Sequence, residues 1–256
     1  MRVLLAGINS KYVHTNLAIR YLYSACKGIG MEVIPLEFTI NDGYFNILRE
    51  ITSHRPDMVA FSCYIWNISI VLDLAETLKK VDGKVKIILG GPEVSYDSEE
   101  LMEKHDYIDF VIKGEADLIF PLFLKTLYNG ESNGERLDGI KGLVYRSGAE
   151  IHGAGSEVQY VENLEDIAFP YEGGTWGFKD RIVYYESSRG CPFRCSFCLS
   201  STCVGVRNLS LDRVARDLAV IGRCGAKVVK FVDRSFNSNP DRAVEIWKHL
   251  IDKMYD

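Results

Sequence analysis

The chain has 256 residues, of which 47% are hydrophobic and 25% are charged, a composition typical of one large or two smaller globular domains. No apolar run approaches the roughly 20 residues that span a bilayer, so the sequence argues against a transmembrane helix. The formal net charge of −5 argues against a chain-wide surface for nucleic-acid phosphates.

The N-terminal residues contain a short apolar run. This run lacks the long apolar core and the small-residue cleavage site of a secretion signal. We therefore expect a cytoplasmic protein that does not associate with membranes.

Five apolar segments alternate with five amphipathic segments over the first 130 residues. The predicted strands cover 2–8, 31–38, 57–64, 84–91 and 108–114, and the predicted helices cover 15–30, 44–56, 68–83, 98–105 and 116–130. The strands are almost continuously apolar, as parallel strands buried on both faces are. Because crossovers between parallel strands are right-handed, residues 1–130 are predicted to form a flavodoxin-like (Rossmann-type) α/β domain with a parallel sheet.

The pattern changes after residue 130. Residues 139–153 alternate around a Ser-Gly turn and predict a β-hairpin, which with the aperiodic residues after it makes a hairpin and linker region, 131–180. A second α/β part follows over 181–256, with strands at 181–188 and 226–233 and helices at 209–225 and 239–254. Ser210 or Asp212 is the expected cap of the first of these helices. Two βα units are the expected start of a TIM-like barrel, which needs about eight, so the barrel is expected to be truncated.

Four of the seven cysteines fall between residues 191 and 203, and Cys191, Cys195 and Cys198 have C-x3-C-x2-C spacing. In a chain without a secretion signal this favours metal binding over a disulfide framework. A structural zinc site needs four ligands, and Cys203 would be the fourth. A 4Fe–4S cluster on three cysteines leaves one iron open for another ligand. The spacing alone leaves both interpretations open.

The run RGCPFRCSFC places Gly190 and Pro192 around the first cysteine and the aromatic Phe197 before the third. With these residues, 182–256 resembles the radical S-adenosylmethionine (SAM) superfamily. The resemblance implies a 4Fe–4S cluster on the three cysteines, with SAM chelated by the open iron. It further implies reductive cleavage of SAM with an electron from a donor such as flavodoxin or ferredoxin, and a place for Phe197 beside the adenine. Plain core packing is the alternative for Phe197.

The second strand of this part ends in KFVDRSFNSN, without the Gly-Gly-Glu run that often lies near the SAM amino group in this superfamily. Asp233, Ser235 and Asn237 are candidates for polar contacts to SAM instead. A solvated loop is the alternative interpretation. The run Gly90-Gly91-Pro92-Glu93 is not the missing motif, because it lies in the first domain.

The loops after the predicted strands of the first domain carry Gly90-Gly91-Pro92 and Gly114-Glu115 after the fourth and fifth strands. These loops resemble the cobalamin-binding domain that precedes many radical SAM cores, over residues 1–130. The resemblance implies that both runs border cobalamin, since glycine lets a backbone approach a flat macrocycle closely. The other implied cofactor contacts are Ser62, Cys63 and Tyr64 after the third strand, and Asn9, Ser10 and Thr15 before the first helix, where N–H groups favour a phosphate.

His14 lies near the position at which many cobalamin domains carry the cobalt-binding histidine of D-x-H-x-x-G. Tyr12 and Leu17 stand where that motif has Asp and Gly, so a capping or solvent-facing histidine is the alternative. No G-x-G-x-x-G follows the first strand, which argues against a dinucleotide. A sheet that binds a flavin or another nucleotide, or that only docks the core, is the alternative to cobalamin.

Together the two resemblances imply a cobalamin-dependent radical SAM enzyme that transfers a methyl group or rearranges a radical on a substrate that the sequence does not identify. One alternative is a non-catalytic iron–sulfur or cobalamin-binding module. Another is a methylthiotransferase, whose first domain would carry three further cluster cysteines. This chain has only Cys26 and Cys63 there, and Cys224 receives no role.

Overall fold

A computed structural model describes residues 1–129, 134–153, 157–171, 178, 180–203 and 205–254. The chain divides into two compact units, Met1–Tyr160 and Val161–Asp256. Part of the predicted linker, at 154–156, 172–177 and 179, lies outside the described residues. None of the described helices is long and apolar enough to cross a membrane.

The first unit is built on one sheet. Its strands are β1 (Arg2–Asn9), β2 (Glu32–Thr39), β3 (Met58–Ser62), β4 (Lys86–Gly90), β5 (Phe110–Ile112), β6 (Leu143–Ser147) and β7 (Glu150–His152). They lie in the order β2-β1-β3-β4-β5-β6-β7. The strands from β1 to β5 are parallel, and β6 and β7 join antiparallel as the hairpin. The predicted flavodoxin-like order of the parallel strands is therefore confirmed.

Helices cover both faces of this sheet. They are α1 (Leu17–Ala25), α2 (Tyr44–Ser53), α3 (Ile68–Val81), α4 (Ser98–Lys104), α5 (Ala116–Tyr128) and α6 (Gly134–Asp138). Along β1, Leu4, Ala6 and Ile8 enter one core cluster, whereas Val3 and Leu5 enter the other. Both faces of the strand are buried, which is why its sequence is apolar without alternation.

The hairpin and the segment after it pair along β5. The Lys113 backbone N–H donates to the Gly142 carbonyl at 2.8 Å, and the Glu115 N–H donates to the Gln159 carbonyl at 2.8 Å. Gly114 and Gln159 form a parallel bridge. The predicted hairpin is thus an integral part of the first sheet.

The second unit contains both predicted βα units. Strands β8 (Ile182–Tyr185) and β11 (Val228–Phe231) pair in parallel, and the helices are α7 (Leu211–Arg223) and α8 (Pro240–Met254). Ser210 caps α7, since its side chain accepts from the Arg213 N–H at 3.2 Å. An antiparallel ribbon of β9 (Ser188–Gly190) and β10 (Val206–Asn208), which the sequence did not predict, flanks the cysteine run.

Candidate functional site

The carboxyl ends of the central strands of the first unit meet at one edge of the sheet. Gly7 pairs with Ser62, Ser62 with Gly90, and Gly90 with Ile112, so the loops that follow begin side by side. β1 has β2 on one side and β3 on the other, which makes this the topological switch point of the sheet. Open α/β sheets bind their ligands in the crevice at such a point.

A buried polar network fixes the loop between β1 and α1. Asn16 caps α1 by accepting from the Ile19 N–H, and its Nδ2 donates to Asn9 Oδ1 at 3.3 Å and to Ser62 Oγ at 3.1 Å. Asn9 Nδ2 in turn donates to the His14 carbonyl at 3.2 Å. Asn9 and Ser62, both predicted cofactor contacts, therefore hold the loop in place through this buried network.

Three residues that the sequence analysis did not single out support this network. A Cβ on Gly7 would lie 2.6 Å from Asn16 Nδ2, so the capping side chain fits only over glycine. Arg20 and Glu37 form a buried salt bridge, with side chains only 2% and 9% exposed. Glu37 Oε2 also accepts from Asn9 Nδ2 at 3.4 Å, which ties the ion pair to the loop.

The loop after β3 carries a second set of residues that sequence reasoning missed. Asn67 Nδ2 donates to the Ile8 and Ser62 carbonyls, both at 2.9 Å, and Asn67 Oδ1 accepts from the Tyr64 N–H. Trp66 donates its Nε1–H to the Ile8 carbonyl and stacks on Tyr64 with ring centroids 4.5 Å apart. Trp66 is nevertheless 46% exposed. This pair offers an aromatic surface at the edge, and the run of Tyr and Trp just after an apolar strand was the available signal.

The glycines at this edge differ in what requires them. Gly91 has φ +113°, and a Cβ there would lie 2.5 Å from the Cys63 carbonyl oxygen. Gly114 has φ +88°, and its Cβ would lie 2.1 Å from the Gln159 carbonyl oxygen. At both positions the conformation and the neighbouring backbone therefore require glycine. Gly90 is different, because its Cβ would meet nothing nearer than the Ile112 carbonyl oxygen at 3.8 Å. A Cβ would fit there in ordinary van der Waals contact, so neither the backbone nor a neighbour requires glycine at the end of this central strand.

The two thiols of the first unit face its cores. Cys26 and Cys63 are buried in different core clusters, and burial raises the pKa of each thiol to about 12. Cys63, a predicted cofactor contact, is fully buried, and its thiol packs in the core. Neutral thiols locked in a core are poor metal ligands, because the thiolate is the ligand form.

The remaining predicted residues of this edge divide by exposure. Thr15 is buried, Pro92 is exposed, and Ser10, His14 and Glu115 are half-buried. With the uncrowded Gly90 at a strand end and the aromatic pair of Tyr64 and Trp66, the edge fits a large flat cofactor that needs an apolar face. These residues therefore fit cobalamin.

In the second unit, the three predicted cluster cysteines follow β9. Gly190, the last residue of β9, has φ +95°, and a Cβ there would lie 2.1 Å from the Gly205 carbonyl oxygen, so only glycine lets the ribbon close. Cys191 is half-buried, whereas Cys195 and Cys198 are exposed. Phe197 is 91% exposed and so does not pack in the core, which was the alternative for this residue.

The thiols of this loop suit iron chemically, but the described sulfur atoms are not placed around one point. Ser200 lowers the pKa of the Cys198 thiol through hydrogen bonds from its backbone and side chain, and Arg234 adds to this effect. Soft thiolates are the ligands of iron–sulfur clusters. Within the described residues, no three Cys, His, Asp or Glu side chains are already gathered around a point that could hold a metal. The chemistry of the three thiols fits the ligands of a cluster.

We expect Cys198 to be alkylated at lower pH than an ordinary cysteine, whose pKa is about 8.5. The pKa of Cys198 is lowered, so its reactive thiolate is populated at a pH where other thiols are protonated. Iodoacetamide labelling across a pH series, read by mass spectrometry of the 195–203 peptide region, gives the midpoint. Ser200→Ala removes one of the hydrogen bonds and should raise that midpoint. A Cys198 midpoint at or above the ordinary value would contradict the expectation.

Asp233, a predicted SAM contact, is hydrogen-bonded to Ser187, just before β9, and to Ser188, the first residue of β9. Its carboxylate accepts hydrogen bonds from the Ser187 N–H at 3.1 Å, from Ser187 Oγ at 2.7 Å and from Ser188 Oγ. Of its two predicted companions, Ser235 is half-buried and Asn237 is exposed. Asp233 is half-buried as well, so what distinguishes it is that its carboxylate is already hydrogen-bonded within the chain.

Comparison with known proteins agrees with this arrangement. Residues 3–124 match the family model of the B12 binding domain. The chain is 29% identical over 215 residues to an uncharacterised methyltransferase of Pyrococcus horikoshii, covering 79% of this chain and 45% of that protein. It is 28% identical over 203 residues to the cobalamin-dependent radical SAM methyltransferase TokK of Streptomyces tokunonensis, covering 75% of this chain and 29% of that protein. The chain thus spans less than half the length of these relatives.

A solved structure shares the fold. The cobalamin-dependent S-adenosylmethionine radical enzyme OxsB, in a structure with aqua-cobalamin and S-adenosylmethionine bound, superposes with a TM-score of 0.76 at 18% identity. The match covers 98% of this chain and 37% of that one. The first unit thus carries the match to the B12 binding domain, over 3–124, and the chain is similar to cobalamin-dependent radical SAM methyltransferases.

Proposed function

We propose that this chain binds cobalamin in its first unit and a 4Fe–4S cluster with SAM in its second, as part of a radical SAM enzyme. The reaction is methyl transfer, or a radical rearrangement, on a substrate yet to be identified. The observation that carries the proposal is the B12-binding match over 3–124, which covers the sheet edge with its uncrowded Gly90 position, in a chain that also has three thiols after β9.

The role of the first unit is to hold the macrocycle. When bound, cobalamin supplies a cobalt centre that accepts and passes on a methyl group. Gly90 leaves the strand end uncrowded, the pair of Tyr64 and Trp66 offers an aromatic face, and the start of α1 favours a phosphate of the nucleotide tail. The other residues proposed to border the cofactor are Asn9, Ser10, His14, Thr15, Ser62, the Cys63 backbone, Gly91, Pro92, Gly114 and Glu115.

The role of the second unit is to hold the cluster and SAM. Cys191, Cys195 and Cys198 are the proposed ligands of three irons, and the exposed Phe197 ring is the proposed neighbour of the adenine. When bound, the cluster passes on one electron, from a donor such as flavodoxin or ferredoxin, to cleave SAM. Free thiols fit a reducing compartment, so we propose a cytoplasmic location.

Binding of hydroxocobalamin tests the first half of the proposal. The chain should retain about one equivalent through gel filtration, seen as corrin absorbance in the protein peak. Gly90→Leu should weaken binding by about tenfold or more. The leucine side chain would occupy the place proposed for the cofactor, and a tenfold loss corresponds to about 1.4 kcal/mol.

Gly83→Leu is the matched control, since it makes the same substitution just before the amino end of β4. A Cβ on Gly83 would meet only the Lys79 carbonyl oxygen, at 3.9 Å, so the variant should fold and bind as the wild type does. A wild-type peak without corrin bands would overturn cobalamin binding. Normal binding by Gly90→Leu would place the cofactor elsewhere.

Two alternatives make different predictions. A non-catalytic module would form no 5′-deoxyadenosine from SAM and a reductant, whereas a radical SAM enzyme would. A methylthiotransferase would need a second cluster in the first unit. The two cysteines there, Cys26 and Cys63, are buried in different cores, which weighs against that activity.

A further inference from the structure

Ser187, between β8 and β9, is held from two sides. Asp233, two residues past the end of β11, accepts from its N–H at 3.1 Å and from its Oγ at 2.7 Å, and also accepts from Ser188 Oγ. Arg242, in the first turn of α8, donates from Nη2 to the Ser187 carbonyl at 3.1 Å. We call Ser187, Ser188, Asp233 and Arg242 the clamp.

The clamp lies at the base of the cysteine loop. Ser188 begins β9, which ends one residue before Cys191, and it pairs with Asn208 of β10 on the far side of the loop. The Leu209 N–H donates to the same Ser187 carbonyl that Arg242 contacts, at 3.0 Å. Both chain segments that bound the loop are therefore fixed to Ser187.

The Asp233 carboxylate is largely used by these contacts. It accepts three hydrogen bonds, and a carboxylate offers roughly four lone-pair sites. Hydrogen bonds to an ionised group are about twice as strong as neutral ones. A direct contact to SAM would have to compete with bonds that fix the chain just before the first cluster cysteine.

We propose that Asp233, supported by Arg242, is a positioning residue that fixes the base of the cysteine loop for cluster assembly and does not contact SAM. This inference rests on the proposed cluster in the second unit. The exposed thiols are not gathered in advance within the described residues, so ordering them has an entropic cost. Fixed loop ends reduce that cost, because fewer residues then need to be ordered when iron binds.

Anaerobic reconstitution of the full chain with limiting ferrous iron and sulfide tests the inference. Asp233→Asn keeps the shape but has one acceptor oxygen, and its NH2 group would face a Ser187 donor. We expect roughly a tenfold loss of cluster affinity, as for other partners outside the ligand set. The EPR signal of the reduced cluster should broaden. Ser188→Ala, which removes a single hydrogen bond, should change both readouts in the same direction by less.

Two controls separate positioning from charge and from stability. Asp241→Asn removes the same charge from an exposed residue next to Arg242. Tyr185→Phe removes a buried hydrogen bond of the same unit, from Tyr185 Oη to Asp217 at 3.1 Å, and leaves every described hydrogen bond of the clamp in place. Both should assemble a cluster with the wild-type iron content and EPR signal, with any loss of stability read from thermal unfolding.

Four outcomes would overturn the inference. A normal cluster in Asp233→Asn that no longer changes its EPR spectrum on addition of SAM would make Asp233 a SAM contact. An equal loss of iron in Tyr185→Phe would assign the effect to general destabilisation. A wild-type chain that assembles no cluster would overturn the proposed function itself, recognisable because both controls also stay without iron. If Asp233→Asn does not fold, Ser188→Ala decides alone, and unchanged readouts there reject the clamp.

Discussion

Replacement of Cys191, Cys195 or Cys198 by serine is expected to abolish the iron–sulfur cluster. Each of three irons takes one thiolate, and a serine hydroxyl is not deprotonated at neutral pH, so one loss leaves an iron without its ligand. After anaerobic reconstitution, bound iron and brown absorbance should fall to background in each variant. Formation of 5′-deoxyadenosine from SAM should disappear with them.

Cys203→Ser is the control that distinguishes the two metal sites left open by the sequence. A three-cysteine cluster should survive this change with full iron content, and Cys224→Ser should be equally silent. A structural zinc site with four thiolates would lose its metal when Cys203 is replaced, and metal analysis of the wild type would then find zinc. That result would contradict the proposed function of the second unit.

Arg20→Met is expected to destabilise the first unit by about 3–5 kcal/mol, because it leaves the Glu37 carboxylate buried without its charge partner. Glu37 also contacts Asn9, so the loop between β1 and α1 should loosen as well. Hydrogen exchange of the β1 amides in a urea series reports the stability of this unit specifically.

The double variant Arg20→Met with Glu37→Met should recover much of the loss, since it removes the isolated charge. Lys80→Met is the matched surface control. Lys80 forms a solvent-exposed i,i+4 ion pair with Glu76, and such pairs contribute only about 0.3–0.5 kcal/mol to stability. If Arg20→Met behaved like Lys80→Met, the buried pair would have no special role.

The architecture of the first unit could be predicted because its strands are buried on both faces. Unbroken apolar runs such as 2–8 then separate clearly from amphipathic helices. The ends of the helices and strands could be predicted less accurately from the sequence. The first helix was predicted to reach Gly30 but ends at Ala25, before a stretch in which Gly28 and Gly30 take positive φ. The three-residue strands β9 and β10 are too short to show any period.

The candidate site was readable only where its residues are close in sequence. The cysteine spacing and the Gly90-Gly91 run are local patterns. The contacts that shape the sites join distant segments. Asn16 reaches Ser62 across 46 positions, and Ser187 reaches Asp233 across the same separation. A single sequence carries no signal for such pairs, so Asp233 was interpreted from its strand end alone.

The hairpin of β6 and β7 also protects the first unit from its own sheet edge. Without β6, the outer backbone groups of β5 would be unpaired, and an open strand edge is a template for aggregation with other chains. The Gly114 loop would lose its bridge to Gln159 at the same time. A fragment meant to carry the first unit should therefore extend to Tyr160, well past the end of α5, so that it keeps these pairings.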